Sequence, residues 1–441
     1  MKEDRKRRTA ARLVLFAESC VLALAAGTAA AQGALAAPAG GPEPLRLTRQ
    51  QSIQEAFARN PALLAAREQI EEARAQVVVA AAFPDLTFSA DVIGQSHAFN
   101  PWSGSGSDQS LGVTVPFPGK IGLRRAVAQS AVSAAELGLI QQSQQVASQV
   151  AQAYDAFLVS IRHREDLLKS REFANDFLEK TSARFLGGTV AKVDVVKARV
   201  DVAQAENDLI ANERTTATAR ASLNRLLGRL GGAPLDATDS LDVPEALPDL
   251  ATLETLAAAS RPELKSLSVQ LEGAETATRL AKRYKTPDIG FSLVRNYLDG
   301  LGSTFTSTIA FSVPLLFWQH EKGEVAAAHH REAELSATLH DTRAQVSLDV
   351  HTAYASASTA LRQAIFIRDE LLPEAREVYR IAAASYGLGG TSALDLLDAK
   401  RTLVNAERQY VDALGAANDA QAALELAIGV PLPKALAGDH S

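Results

Sequence analysis

Ala384-Ser385-Tyr386-Gly387-Leu388-Gly389-Gly390-Thr391, followed by Asp395 and Ala399, repeats a stretch met about 200 residues earlier: Ala183-Arg184-Phe185-Leu186-Gly187-Gly188-Thr189, followed by Asp194 and Ala198. Other pairs keep the same distance. Pro84-Asp85-Leu86-Thr87-Phe88-Ser89 matches Pro287-Asp288-Ile289-Gly290-Phe291-Ser292, and Val115-Pro116-Phe117 matches Val313-Pro314-Leu315. Ala153-Tyr154 matches Ala353-Tyr354, and Leu223 to Gly228 matches Leu424 to Gly429. The offsets all lie between 198 and 203. A long repeat of this kind fixes architecture before any single residue is interpreted. It points to one structure with internal pseudo-twofold symmetry rather than to a string of separate domains.

Around these anchors each repeat has the same grammar: a helix, two alternating segments, then two long helices joined by a glycine turn. The first repeat spans 45–230 and the second 253–430, with 231–252, rich in Gly, Pro, Asp and Ser, as a linker. In the first repeat Thr48 stands at an N-cap position, and Asn60-Pro61 breaks the helix that runs to about Ala82. The hairpin at 86–117 alternates Leu86, Phe88, Ala90 and Val92 against Thr87, Ser89 and Asp91, then Leu111, Val113 and Val115 against Ser110, Gly112 and Thr114. The hairpin at 288–315 supplies Ile289, Phe291, Leu293, Phe305, Ile309, Phe311 and Val313, with Arg295, Asn296 and Thr308 among them. Alternation of this kind suits a sheet between a greasy and a wet medium, and equally the half-buried hairpin of a soluble protein. No proline occurs from Gly119 to Ala233. The helical pattern that runs to about Phe185 predicts a rod on the order of 100 Å, which must lie along partner helices. In the second repeat the helix from about Gln319 is expected to be interrupted at Pro373, and a last helix runs from Ser392 to Ile428. The tail 431–441 is expected to be disordered.

The 441 residues are 47% apolar but only 5% aromatic, a mix that suits closely packed long helices. Residues 1–37 read as a secretory signal peptide: a basic start (Lys2, Arg5 to Arg8, Arg12), an apolar run from Leu13, and small residues at Gly27 to Ala31 and Ala34 to Ala37, with cleavage expected between about Ala31 and Ala37. A membrane anchor is the alternative reading, which Glu18 opposes. Removing this segment takes the net charge from −6 to −9, so bulk charge excludes a nucleic-acid binder. The only cysteine, Cys20, falls inside it, leaving no thiol ligand or disulfide; lipidation at Cys20 is an alternative that Phe16-Ala17-Glu18-Ser19 does not favour. His329 and His330 are adjacent, and no histidine pair has helical chelating spacing, so no metal site is expected. No phosphate loop or nucleophile elbow is present, so no cofactor or enzymatic activity is expected.

Taken in order and twice over, the Val-Pro-Phe and Val-Pro-Leu steps and the two Gly-Gly-Thr…Asp turns resemble the outer-membrane efflux channels typified by TolC, over roughly residues 45–430. The resemblance implies a mainly α protein with a transmembrane β-barrel. Three protomers would each lend four strands to one 12-stranded barrel, and their helices to a coiled-coil tunnel through the periplasm of a Gram-negative cell. It implies a passive exit duct in a tripartite efflux pump or type I secretion system. Its partners would be a periplasmic adaptor, an inner-membrane pump and outer-membrane lipid. It implies that Asp395 and Asp398, three apart on one helix face, form carboxylate rings at a periplasmic gate. It also implies that the tips Gly187, Gly188, Thr189 and Gly389, Gly390, Thr391 dock the adaptor. Against this stands a simpler reading of both aspartates as helix N-terminal acids favoured by the helix dipole. The first repeat has Lys197 where a second acid would stand, and Thr391 and Ser392 occupy the turn where the type member carries an arginine. A periplasmic helical adaptor and an envelope coiled-coil scaffold are the alternatives for the whole chain; neither needs two hairpins at matching positions.

Overall fold

The computed structural model describes residues 44–94, 104–298, 300–312, 317–387 and 390–432. The expected signal peptide, Cys20, the Val313-Pro314-Leu315 step, Gly389 and most of the tail lie outside the described residues. The elements all belong to the unit Pro44–Ser441.

The chain opens with β1 (Leu45–Leu47), α1 (Arg49–Arg59) and α2 (Pro61–Ala81). Thr48 caps α1 in a reciprocal capping box with Gln51. Asn60 serves both helices: its Oδ1 accepts from Ala62 N at 2.9 Å and its Nδ2 donates to Leu226 O at 2.8 Å. Pro61 fits the first helical position, where no backbone N–H is required. Two strands follow, β2 (Thr87–Ile93) and β3 (Gly106–Val115), and then α3 (Lys120–Leu186), 67 residues long. At 1.5 Å per residue that is a rod of about 100 Å. The chain returns along α4 (Lys192–Leu226), pairs β4 (Leu235–Ala237) with β1 in parallel, and continues through α5 (Leu250–Ser260) and α6 (Pro262–Ala281). The strands β5 (Asp288–Leu298) and β6 (Gly302–Ser312) lead into α7 (Phe317–Phe366), a π-helical turn (Ile367–Leu371), α8 (Leu372–Gly387) and α9 (Ala393–Ile428).

Pro373 does not break its helix. A proline lacks the N–H for its helical bond and its ring crowds the carbonyl four residues back. The π turn at Ile367–Leu371 widens the helix directly before it, so α7 passes into α8 without a gap.

The helices pack through two main cores. One joins Ala56, Leu63, Val146, Val150, Phe157, Leu223 and Leu227 around Tyr154. The Tyr154 hydroxyl donates to Leu47 O at 2.9 Å and accepts from Thr238 N and Asp239 N, both at 3.3 Å, so its burial leaves no orphaned polar atom. The other core joins Leu253, Ala257, Leu264, Val346, Val350, Leu424 and Ile428. Gly228 closes α4 with φ +68°, and a Cβ there would stand 2.6 Å from Arg59 O, so only glycine fits this close approach.

The four long strands form one antiparallel sheet in the order β2-β3-β5-β6. Its pairing aligns the alternation of all four. Phe88 faces Leu111, Leu111 faces Leu293, Val113 faces Phe291, and Phe291 faces Ile309. Ile289 is paired with Val115 and Phe311. These apolar residues share one face, because side chains alternate with period two. The opposite face carries Thr87, Gly112, Ser292 and Thr308 in one row, and Asp91, Asp108, Asn296 and Thr304 in another. Among the described residues nothing covers this mostly apolar face, which also carries Gln109 and Arg295: Phe305, Ile309 and Phe311 are each more than 60% exposed. Among the described residues, strands β2 and β6 are both open edges of this sheet.

Lys120 staples sheet to helices. It is 3% exposed, and its Nζ donates to Asp288 Oδ1 at 2.8 Å and Thr286 O at 2.9 Å. Asp288 Oδ1 also accepts from Phe117 N at 2.8 Å. The roots of both hairpins are thus tied to one carboxylate.

Candidate gate at the helical tips

Far from the sheet, α3 turns into α4 and α8 into α9. The first turn is a Schellman motif. Gly188 N donates to Phe185 O at 3.0 Å and Thr189 N to Arg184 O at 3.0 Å, bonds that satisfy the last helical carbonyls. Only Gly188 needs glycine, at φ +72°; Gly187 sits at φ −77°. In the second turn Gly390 N donates to Ser385 O at 2.9 Å, the counterpart of the Thr189-to-Arg184 bond. The Thr391 hydroxyl bonds the Ser385 hydroxyl.

Ser392 is the N-cap of α9. Its Oγ accepts from Asp395 N at 3.2 Å and donates to Asp395 Oδ2 at 2.7 Å, and Asp395 Oδ2 accepts from Ser392 N at 3.3 Å. Asp395 therefore holds the start of the helix, where the dipole also favours its charge. Asp398 is different. It is exposed one turn further on, and among the described residues its carboxylate makes no hydrogen bond or ion pair. The two aspartates share a face with each other, but only Asp398 is free of a local structural task. Ser392→Ala is accordingly expected to lower stability by about 1 kcal/mol, and Asp395→Asn to weaken the same cap, whereas Asp398→Asn should leave the unfolding midpoint unchanged; thermal unfolding of the three variants measures this.

Side chains that the sequence pattern did not single out bind the two tips together. Arg184, in the last turn of α3, donates to Tyr386 O at 3.1 Å and lies over the Tyr386 ring at 4.3 Å. Phe177, Tyr386, Leu396 and Leu397 form a small core beneath it. One turn further, Lys400 of α9 is 6% exposed. Its Nζ lies 3.1 Å from Asp201 Oδ2 on α4, donates to Ser170 O on α3 at 3.2 Å, and sits 4.4 Å from the Phe173 ring centre. Burial pulls the Lys400 pKa down against the opposing pull of Asp201. A signal for Lys400 existed: it continues the buried stripe Ala393, Leu396, Leu397, so a cation there needs a partner.

Among the described residues no cluster of histidine, cysteine or carboxylate side chains could hold a metal ion. Nor is any helix among them long and apolar enough to cross a membrane.

The family model for outer membrane efflux proteins matches this chain at residues 52–229 and again at 253–430. The chain is 25% identical over 329 residues to the cobalt-zinc-cadmium resistance protein CzcC of Cupriavidus metallidurans, covering 73% of this chain and 77% of that one. Its fold is similar to the open state of the MtrE outer membrane channel of Neisseria gonorrhoeae, with a TM-score of 0.72 and 19% identity over 87% of this chain and 89% of that one. It is likewise similar to the CmeC outer membrane channel of Campylobacter jejuni, at 0.73 and 17% over 88% and 86%. For CusC the values are 0.72 and 18% over 87% and 92%.

Proposed function

Because the chain belongs to the outer membrane efflux protein family, matched twice along its length, we propose that it is the exit duct of a tripartite efflux pump or type I secretion system. The observation that carries this reading is the pairing of the four-stranded sheet. It gathers an exposed apolar face and a polar face, and leaves an open edge on each side. Exposed edges invite pairing with another chain, and a sheet in a bilayer must close so that every backbone group is bonded. Three copies closing edge to edge give a 12-stranded barrel, with the face of Leu111, Phe291 and Ile309 toward lipid and the face of Thr87, Ser292 and Thr308 toward the lumen. The stretches 45–230 and 253–430 are a duplicated unit, and their long helices continue the barrel as a tunnel in the periplasm. The tips at Gly187 to Thr189 and at Gly390 and Thr391 offer the docking end for a periplasmic adaptor and, through it, an inner-membrane pump.

In this trimer Asp398 forms a ring of three carboxylates at the closed end, with Asp395 one turn outward and engaged in its cap. Such a ring favours cations. Similarity to CzcC makes divalent metal ions the first cargo to test. Purified protein in planar bilayers is expected to give discrete pores with a cation preference that falls in Asp398→Asn. A preference untouched by that substitution removes Asp398 from the gate. Folded protein that forms no pore overturns the duct itself.

A further inference from the structure

Where the helices meet the sheet, charge is concentrated. The stretches 119–126 and 281–288 hold Lys120, Arg124, Arg125, Lys282, Arg283 and Lys285 against a single carboxylate, Asp288. Lys120 brings the two stretches together through its bonds to Thr286 and Asp288. Asp288 is thus occupied. Arg125, Lys282, Arg283 and Lys285 are exposed, and none forms an ion pair among the described residues. Tyr284 stands among them, 44% exposed. Directly beyond begins the apolar face of the sheet, at Ile289 and Phe291. The corresponding end of α2 has none of this: Val79, Ala80, Ala81 and Ala82 stand where α6 is followed by Lys282, Arg283, Tyr284 and Lys285.

We infer that this basic root binds the headgroups of anionic phospholipids in the leaflet at the tunnel side of the barrel. The inference rests on the duct reading, which puts the apolar sheet face in a bilayer. Unpaired cations repel one another and gain nothing from clustering unless an anion covers them. Placed at the boundary of an apolar belt, and with an amphipathic aromatic among them, they lie at headgroup depth, where anionic lipid attracts lysine and arginine. The asymmetry between the two roots adds a second feature. Because the end of α6 is basic where the end of α2 is apolar, anionic lipid is held at three defined positions around a trimeric barrel rather than uniformly.

The full chain, reconstituted in vesicles of equal phosphatidylcholine and phosphatidylglycerol and then re-extracted, is expected to retain phosphatidylglycerol several-fold over phosphatidylcholine, read by mass spectrometry of bound lipid. The enrichment should shrink as salt rises. It should vanish in Arg125→Gln/Lys282→Gln/Arg283→Gln/Lys285→Gln and persist in Arg401→Gln/Arg408→Gln, which removes two cations from α9. Equal retention of both lipids by the wild type overturns the inference, with no variant needed. So does an enrichment that survives the four substitutions, or one that inorganic phosphate abolishes where chloride of equal ionic strength does not, which would mark a small-anion site. Pore formation by the wild type in the same two lipids is recorded alongside: pores without lipid preference reject the basic root alone, and no pores in either lipid reject the duct.

Discussion

Lys400→Ala is expected to destabilise the tip end of the helical region by about 3–5 kcal/mol, the range for removing one partner of a buried ion pair. The loss comes less from the attraction forgone than from what remains. Asp201 has a side chain only 13% exposed, and without Lys400 it keeps a charge that neither solvent nor protein compensates. Ser170 O also loses its donor, and Phe173 loses the ammonium group over its ring. Because Lys400 touches α3 and α4 from α9, the expected signature is local: faster amide exchange at 170–201 and 393–406, with the core around Tyr154 unaffected. The double variant Lys400→Met/Asp201→Leu tests the cause. It removes both charges and refills the space, and should recover most of the lost stability. A single variant costing less than about 1 kcal/mol would place the pair among solvent-screened ones and remove the buried-charge explanation.

The same pair shows what sequence can and cannot reveal. Periodicity exposed the long helices, because apolar spacing of three and four is written along one chain. Alternation exposed the hairpins for the same reason. The family resemblance rested on short motifs in order, and the family match at 52–229 and 253–430 agrees with it. Contacts between distant segments left weaker traces. Lys400 and Asp201 lie 199 residues apart, and Arg184 and Tyr386 lie 202 apart; nothing local marks either as a partner of the other. Pro373 shows a different limit. The proline itself signalled a break, but a π turn upstream satisfies the same steric demand while keeping the helix continuous. The aspartates show a third. Asp395 and Asp398 are equivalent in spacing, yet Ser392 assigns one of them to a capping box, and only the turn geometry separates cap from free carboxylate.

Stability should fall as pH rises from about 4 to about 6, because two aspartates are held in a buried site that favours their protonated forms. Asp155 on α3 is 3% exposed, and its pKa is raised to about 6. Burial is the main cause and outweighs the attraction of Arg49, whose Nη2 lies 3.1 Å from Asp155 Oδ2 but without hydrogen-bond geometry. Asp419, Asp239 and Glu425 push the same way as burial. Asp419 on α9 is also raised to about 6, by burial against the opposing pull of Arg49. A single guanidinium therefore faces one buried and one half-buried carboxylate, and a third, Asp239, is held close by at the Arg49 backbone N, 2.7 Å away. Asp155 borders a cavity of about 640 Å³ under the segment after β4, which gives solvent protons a path. A raised pKa means that the folded state binds the proton more tightly than the unfolded chain. The stabilisation is fully present below about pH 4, diminishes through the window, and is gone above about pH 6. For Asp155 alone the span is on the order of 3 kcal/mol. Asn at both positions mimics the neutral forms, so Asp155→Asn/Asp419→Asn should flatten the dependence of the unfolding midpoint on pH between about 4 and 7 and leave the double variant more stable than wild type at neutral pH. Identical pH profiles for the two proteins would mean that water and Arg49 solvate these carboxylates well enough to keep them ordinary.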